Sequence, residues 1–177
     1  QVQNYVYPEH LTVAQNGTAR IVPMMQLFDS LFGIYPFRNE KYGMAEFSWG
    51  GGMEHQTMTF MTGFGFELMA HELAHHWFGD NTTCAHLGEI WLNESFASYL
   101  MMLWAEEDLG PEELDFDVDH ARRRYFQYVA QDAPDLDNGA VQGEHRGRGK
   151  LLINVLIDVH DRARGKEGLE PLGIMAE

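Results

Sequence analysis

The densest chemistry in this chain lies in five consecutive residues, His71-Glu72-Leu73-Ala74-His75. On a helix, side chains four positions apart share a face. His71 and His75 can therefore direct both imidazoles at one metal ion. Glu72 stands beside them as the candidate general base of a hydrolytic site. Glu94 follows with eighteen residues between His75 and it, and offers a third ligand. Two histidines and one carboxylate leave a fourth position on a zinc ion open to water. That pattern marks a catalytic rather than a structural site. Leu68, Met69, Leu73, Ala74 and Trp77 surround the motif with apolar groups. A His-Glu-His set is costly in such surroundings without a metal or polar partners.

These ligands need two helices. The first carries the H-E-x-x-H motif and is expected to end near Gly79. A loop then turns, and a second helix over Glu89–Glu107 brings Glu94 back to the histidines. Asp80 and Glu89 are candidates to orient a ligand imidazole through its other ring nitrogen. His76 points about 100° round the helix from His75 and is not expected to be a ligand. His86 falls in the connecting loop and is set aside with it.

Upstream, Gly50-Gly51-Gly52 separates two apolar stretches, Tyr42–Trp49 and Met53–Met61, both expected to be strands. Glycines there let another backbone approach closely. An edge strand of this kind can pair with an extended peptide through main-chain bonds. Glu54 follows directly. A carboxylate beside the metal would bind a free ammonium by charge-assisted hydrogen bonding. Ile21, Met24, Met25, Leu27, Phe28, Leu31 and Phe32 recur at helical spacing after Thr18, a candidate N-cap, and this stripe reads as core packing. The first nineteen residues read as a strand-and-turn entry, with the turn at Asn16-Gly17. Pro111–Gln131 reads as a charged helix whose Arg122-Arg123-Arg124 run forms a solvated face. Asp132–Gly149 reads as a loop and Leu151–Val159 as a short apolar element.

Phe66–Tyr99 resembles the active-site core of the zinc aminopeptidases of the aminopeptidase-N type, the gluzincin group that includes leukotriene hydrolase. Trp91-Leu92-Asn93-Glu94-Ser95-Phe96-Ala97 is similar to that family's W-L-N-E-G-F-A, with Ser95 for Gly. Gly51-Gly52-Met53-Glu54-His55 resembles its G-A-M-E-N signature, with Gly52 for Ala and His55 for Asn. Gly33–Phe47 is similar to the family's lead-in. The resemblance extends from about Tyr5 to Asp132. It implies an α+β, mainly helical, thermolysin-like catalytic domain with a small mixed sheet. It also implies one zinc ion on His71, His75 and Glu94, with Glu72 as general base. Substrate binding would fall to Glu54, Gly51, Gly52 and Met53, with Glu54 on the α-amine. The expected activity is removal of N-terminal residues from peptides by metal-activated water. The family's downstream tyrosine, which donates to the tetrahedral intermediate, has no counterpart after Tyr128. Two rival readings follow: a catalytically incomplete zinc-binding fragment, and a thermolysin-like endopeptidase, against which Glu54 argues.

Composition limits the partners. The net charge of −15 falls wholly on residues 1–137, and 138–177 are balanced. This division suggests a partial catalytic domain over 1–137 and a diverged or truncated tail over 138–177. An acidic body without a basic stripe disfavours nucleic acid; it either attracts cationic ligands weakly, a free peptide N-terminus among them, or only keeps the surface solvated. No apolar run approaches the 18 residues needed to span a membrane. Gln1–Asn4 carry no signal-peptide pattern, and the chain lacks an initiator Met. It therefore reads as a soluble excerpt of a longer protein, its compartment unassigned. The lone Cys84 permits no internal disulfide and is expected to be a buried small side chain.

Overall fold

The structure, a computed structural model, describes residues 1–132. The 138–177 tail, all of the expected 132–149 loop after Asp132 and the Leu151–Val159 run lie outside the described residues. Two layers make the fold. One is a four-stranded sheet of β1 (Val2–Tyr5), β2 (Tyr42–Glu46), β3 (Gly52–Met53) and β4 (Met58–Met61). The other is a set of helices: α1 (Leu11–Thr18), α2 (Ile21–Phe32), α3 (Phe66–Ala74), α4 (Ile90–Leu109) and α5 (Pro111–Asp132). The strand order is β1-β2-β4-β3. β1 and β4 both run parallel to β2, while β3 runs antiparallel to β4 with Gly52 opposite Met61. A mainly helical α+β domain with a small mixed sheet is what the sequence led one to expect.

The core forms where sheet and helices meet. Ile21, Met24 and Phe28 of α2 are buried, as their helical spacing predicts, and so are Tyr42, Met44 and Met61 of the sheet. Met69, Ala70, Leu73 and Ala74 of α3 are fully buried against Ala97, Leu100 and Leu103 of α4. The helix that carries the H-E-x-x-H motif is thus well enclosed, held by α4 on one side and the sheet on the other. Burying a Leu or Met side chain contributes roughly 1.5–3 kcal/mol, so this packing fixes α3 rigidly.

Some expectations change. Asn16-Gly17 does not turn the chain. It lies within α1, where Ala14 is buried and Gly17 packs against the Phe64 carbonyl with no room for a Cβ. Tertiary packing overrides a local turn preference here. Thr18 closes α1 instead of capping the next helix, and Arg20 occupies the N-cap of α2. The expected 53–61 strand divides into β3 and β4, because His55–Thr57 form a turn with Thr57 at φ 63°. Cys84 is half-buried rather than buried. Among the described residues, no helix is long and apolar enough to cross a membrane.

Candidate metal centre

Helix α3 begins after Gly65, which has extended backbone angles, and runs nine residues to Ala74. Its apolar positions face the core, which turns His71 toward the cleft and leaves its side chain one-fifth exposed. His75 lies one turn on, with only 2% of its side chain exposed. Glu94 sits in the second turn of α4, about half exposed. The packing of α3 on α4 brings the three together. The Nε2 atoms of His71 and His75 are 3.2 Å apart. Glu94 Oε2 lies 3.3 Å from His71 Nε2 and 3.7 Å from His75 Nε2.

These distances test the site for zinc. Ligands about 2.0–2.1 Å from a tetrahedral ion stand about 3.3 Å from one another. The three atoms form a triangle with edges of that size, and only one of its corners is strongly exposed. The donor set, two imidazole nitrogens and a carboxylate oxygen, suits zinc. Among the described residues this is the one group of three or more His, Cys, Asp or Glu able to share an ion. The residues fit the metal that the sequence implied.

The turn after α3 finishes the ligand geometry. His76–Asn81 form a wide helical turn with non-helical angles at Phe78 and Gly79. The Phe78 carbonyl lies 3.2 Å from His75 Nδ1 and accepts its N–H, leaving the Nε2 lone pair for a metal. Gly79 has φ +156°, and a Cβ there would lie 3.1 Å from His75 Nδ1. The Asp80 amide donates to the His75 carbonyl at 2.9 Å. This corrects one expectation: a backbone carbonyl, not Asp80, orients His75. The Asp80 carboxylate instead faces His76. Glu89 accepts from the Trp91 indole N–H at 2.6 Å.

Glu72 is 5% exposed and projects toward β3. A Cβ at Gly52 would lie 2.6 Å from its carboxyl carbon and 2.7 Å from Cγ. The edge strand therefore packs on Glu72 only because Gly52 has no side chain. Burial raises the Glu72 pKa to about 7, against the lowering pull of His71 and His75 and with smaller raising contributions from Glu54 and Glu94. Glu54 is half-buried and close enough for its charge to act on both Glu72 and Asp80. The histidine hydrogen bonds hold Glu94 well below the usual carboxylate range. Burial alone would lower His75, but Glu94 outweighs it and raises that imidazole.

β3 is the edge of the sheet, its Met53 41% exposed. The Gly51 carbonyl accepts from both the Thr62 amide and hydroxyl, which fixes the glycine turn. His55 is exposed and meets Phe60 edge-on at 5.1 Å. Ser95 bonds back to the Trp91 carbonyl at 2.5 Å, so this buried hydroxyl is satisfied. The motif reading missed two contributors. The Phe78 carbonyl is a backbone group and leaves no trace in residue types. Tyr35, bonded to His76, is 41 residues distant from it, and no local pattern connects the two.

Comparison with known proteins follows the same lines. The family described as the peptidase family M1 domain matches residues 18–143. Bovine aminopeptidase N is 54% identical over 39 residues, which are 22% of this chain and 4% of that protein. Rat aminopeptidase B is 41% identical over 56 residues, 28% of this chain and 9% of its own length. A mutant M1 zinc metallopeptidase from Deinococcus radiodurans superposes with a TM-score of 0.62 at 25% identity, covering 98% of this chain and 42% of its own. The same enzyme bound to a Tyr-Ser-Ala substrate gives 0.58 at 23% identity, covering 97% and 40%, a likeness of fold. The present chain thus spans less than half of these solved structures and matches under a tenth of the curated relatives.

Proposed function

Because the chain belongs to peptidase family M1, we propose that it is the zinc-binding catalytic part of an aminopeptidase. The ligand triangle of His71, His75 and Glu94, with edges of 3.2, 3.3 and 3.7 Å, carries this reading. One zinc ion held there would supply Lewis acidity, making water acidic and polarising the scissile carbonyl. The protein's own groups do the rest. Glu72 takes a proton from the attacking water and returns it to the departing amine. In the metal-free chain, burial raises its carboxyl pKa to about 7. Glu54 binds the ammonium of the peptide by charge-assisted hydrogen bonds. The main chain of Gly51, Gly52 and Met53 aligns the peptide along the sheet edge. Trimming of one residue at a time follows from the Glu54 anchor, which rewards a free N-terminus. A Tyr-Ser-Ala peptide bound to the Deinococcus enzyme supports short peptides with a free amine as the substrate class.

The test pairs zinc content with hydrolysis of aminoacyl anilides, N-acetylated or free. One zinc per chain with cleavage of only the free substrates is expected. His75→Ala and Glu94→Ala are expected to lose the metal. Equal cleavage of blocked and free substrates would instead favour an endopeptidase, and absence of zinc would overturn the reading altogether.

A further inference from the structure

Behind the metal centre lies a second polar group that the proposed chemistry does not use. His76 follows the candidate ligand His75 but packs among the aromatic rings of Tyr35, Tyr42 and Phe37, its side chain fully buried. Its ring stacks on Tyr35 with centroids 5.6 Å apart and planes at 28°. Tyr42 and Phe37 meet it edge-on at 5.2 and 6.0 Å. The Tyr35 hydroxyl and His76 Nδ1 are hydrogen-bonded at 2.7 Å. With the hydroxyl as donor, the ring proton lies on Nε2, facing Asp80. His76 Nε2 and Asp80 Oδ2 face one another at 3.8 Å, and both are buried without a hydrogen-bond partner among the described residues. Buried polar atoms of this kind cost about 1–3 kcal/mol each when unpaired. A shift of about 0.8 Å joins them at ordinary hydrogen-bond length.

We infer that Tyr35, His76 and Asp80 form one buried hydrogen-bonded relay that positions the zinc ligand His75. The link is the turn that Asp80 closes. Asp80 is tied to His75 through its amide, 2.9 Å from the His75 carbonyl, and its carboxylate faces His76 Nε2 at 3.8 Å. Between them in the chain stands Phe78, whose carbonyl orients the His75 imidazole. Gly79 within this turn adopts a backbone that other residues avoid, so the turn needs an external restraint. His76 provides one. Its ring is wedged among three aromatic rings and cannot swing, and it offers Asp80 a fixed donor. Releasing Asp80 lets the turn relax and withdraws the Phe78 carbonyl from His75 Nδ1. Tyr35 and Asp80 are accordingly positioning residues, acting on metal affinity through the turn that carries the Phe78 carbonyl.

This rests on the reading of His75 as a zinc ligand, and the experiment separates the two. Zinc affinity of the 177-residue chain is measured by competition with a chromogenic chelator, for wild type, Tyr35→Phe, Asp80→Ala and Asp80→Asn. In parallel, nitrogen-15 NMR of the metal-free proteins reads the His75 tautomer. Groups that orient a ligand imidazole affect metal affinity by about 10- to 100-fold, so Tyr35→Phe and Asp80→Ala should each weaken zinc about tenfold. Both should also shift His75 from its Nδ1–H tautomer toward a mixture. Asp80→Asn keeps an acceptor for His76 and should stay within about threefold of wild type. If Asp80→Ala does not fold, Tyr35→Phe decides, since it removes one oxygen and keeps the stacked ring. Wild-type affinity and tautomer in a folded Tyr35→Phe would overturn the relay while leaving the zinc site standing. A wild-type chain that binds no zinc would overturn both.

Discussion

Glu72 lies in a nearly closed space against Gly52, and this decides how it behaves. Glu72→Gln keeps the shape and removes the base. Turnover should fall by about 10²–10⁴, the usual contribution of a positioned base, while zinc content stays at wild type. The same residue gives a pH signature in the metal-free chain. Its folded pKa, about 7, lies above the 4.5 of an ordinary glutamate. The neutral form is the one the fold accommodates, so its contribution to stability is complete below about pH 4.5 and is lost as pH rises through about 7. At pH 8 metal-free Glu72→Gln should therefore be more stable than wild type by about 1–3 kcal/mol, with the difference gone at pH 4. Urea titrations at the two pH values measure this. Glu54 is tested by substrate choice. Glu54→Ala should raise KM for free-amine substrates by about 10-fold or more, as expected for a lost charged hydrogen bond, and leave N-acetylated substrates uncleaved as in wild type.

At the scale of elements, the turn His76–Asn81 matters more than its length suggests. It ends α3, supplies the carbonyl for His75 and carries Asp80. Gly79→Ala places a side chain on a backbone that strongly disfavours one and crowds His75 Nδ1. A destabilisation of about 1–3 kcal/mol is expected, with weaker zinc binding, both measurable on the purified variant. The helices themselves were legible. The stripe Ile21, Met24, Phe28 and the H-E-x-x-H run predicted α2 and α3, and the Glu89–Glu107 expectation lies within a residue or two of α4 at Ile90–Leu109. Strand boundaries were less so. Nothing local in Met53–Met61 announces that His55–Thr57 leave the sheet, because a short strand is defined by its partner as much as by its own residues.

Taken whole, the molecule places the three candidate ligands at the seam between α3 and α4, so a zinc ion bound there would bridge the two helices. A ligand that binds only the folded state stabilises it by about 2.7 kcal/mol at a hundredfold excess over Kd. Removing zinc with a chelator should then lower Tm by about 5–10 °C for a chain of this size, and added zinc should restore it. His75→Ala should show no such shift. With a net charge of −15, association with cationic ligands should be faster at low salt, an effect that added salt screens.

By itself the sequence determined what depends on consecutive residues. Helical periodicity alone brings His71 and His75 to one face, because four residues make about one turn. The runs around Glu54 and Glu94 likewise pointed to a family and a donor set. Tertiary structure decided everything that depends on residues far apart in the chain. It gave His75 Nδ1 to a backbone carbonyl, turned Asp80 toward His76 and laid Gly52 against Glu72. It also joined Tyr35 to His76 across 41 positions. The reason is physical: periodicity is a property of a segment's own backbone, whereas these contacts exist only once the core has packed and each segment's path is set.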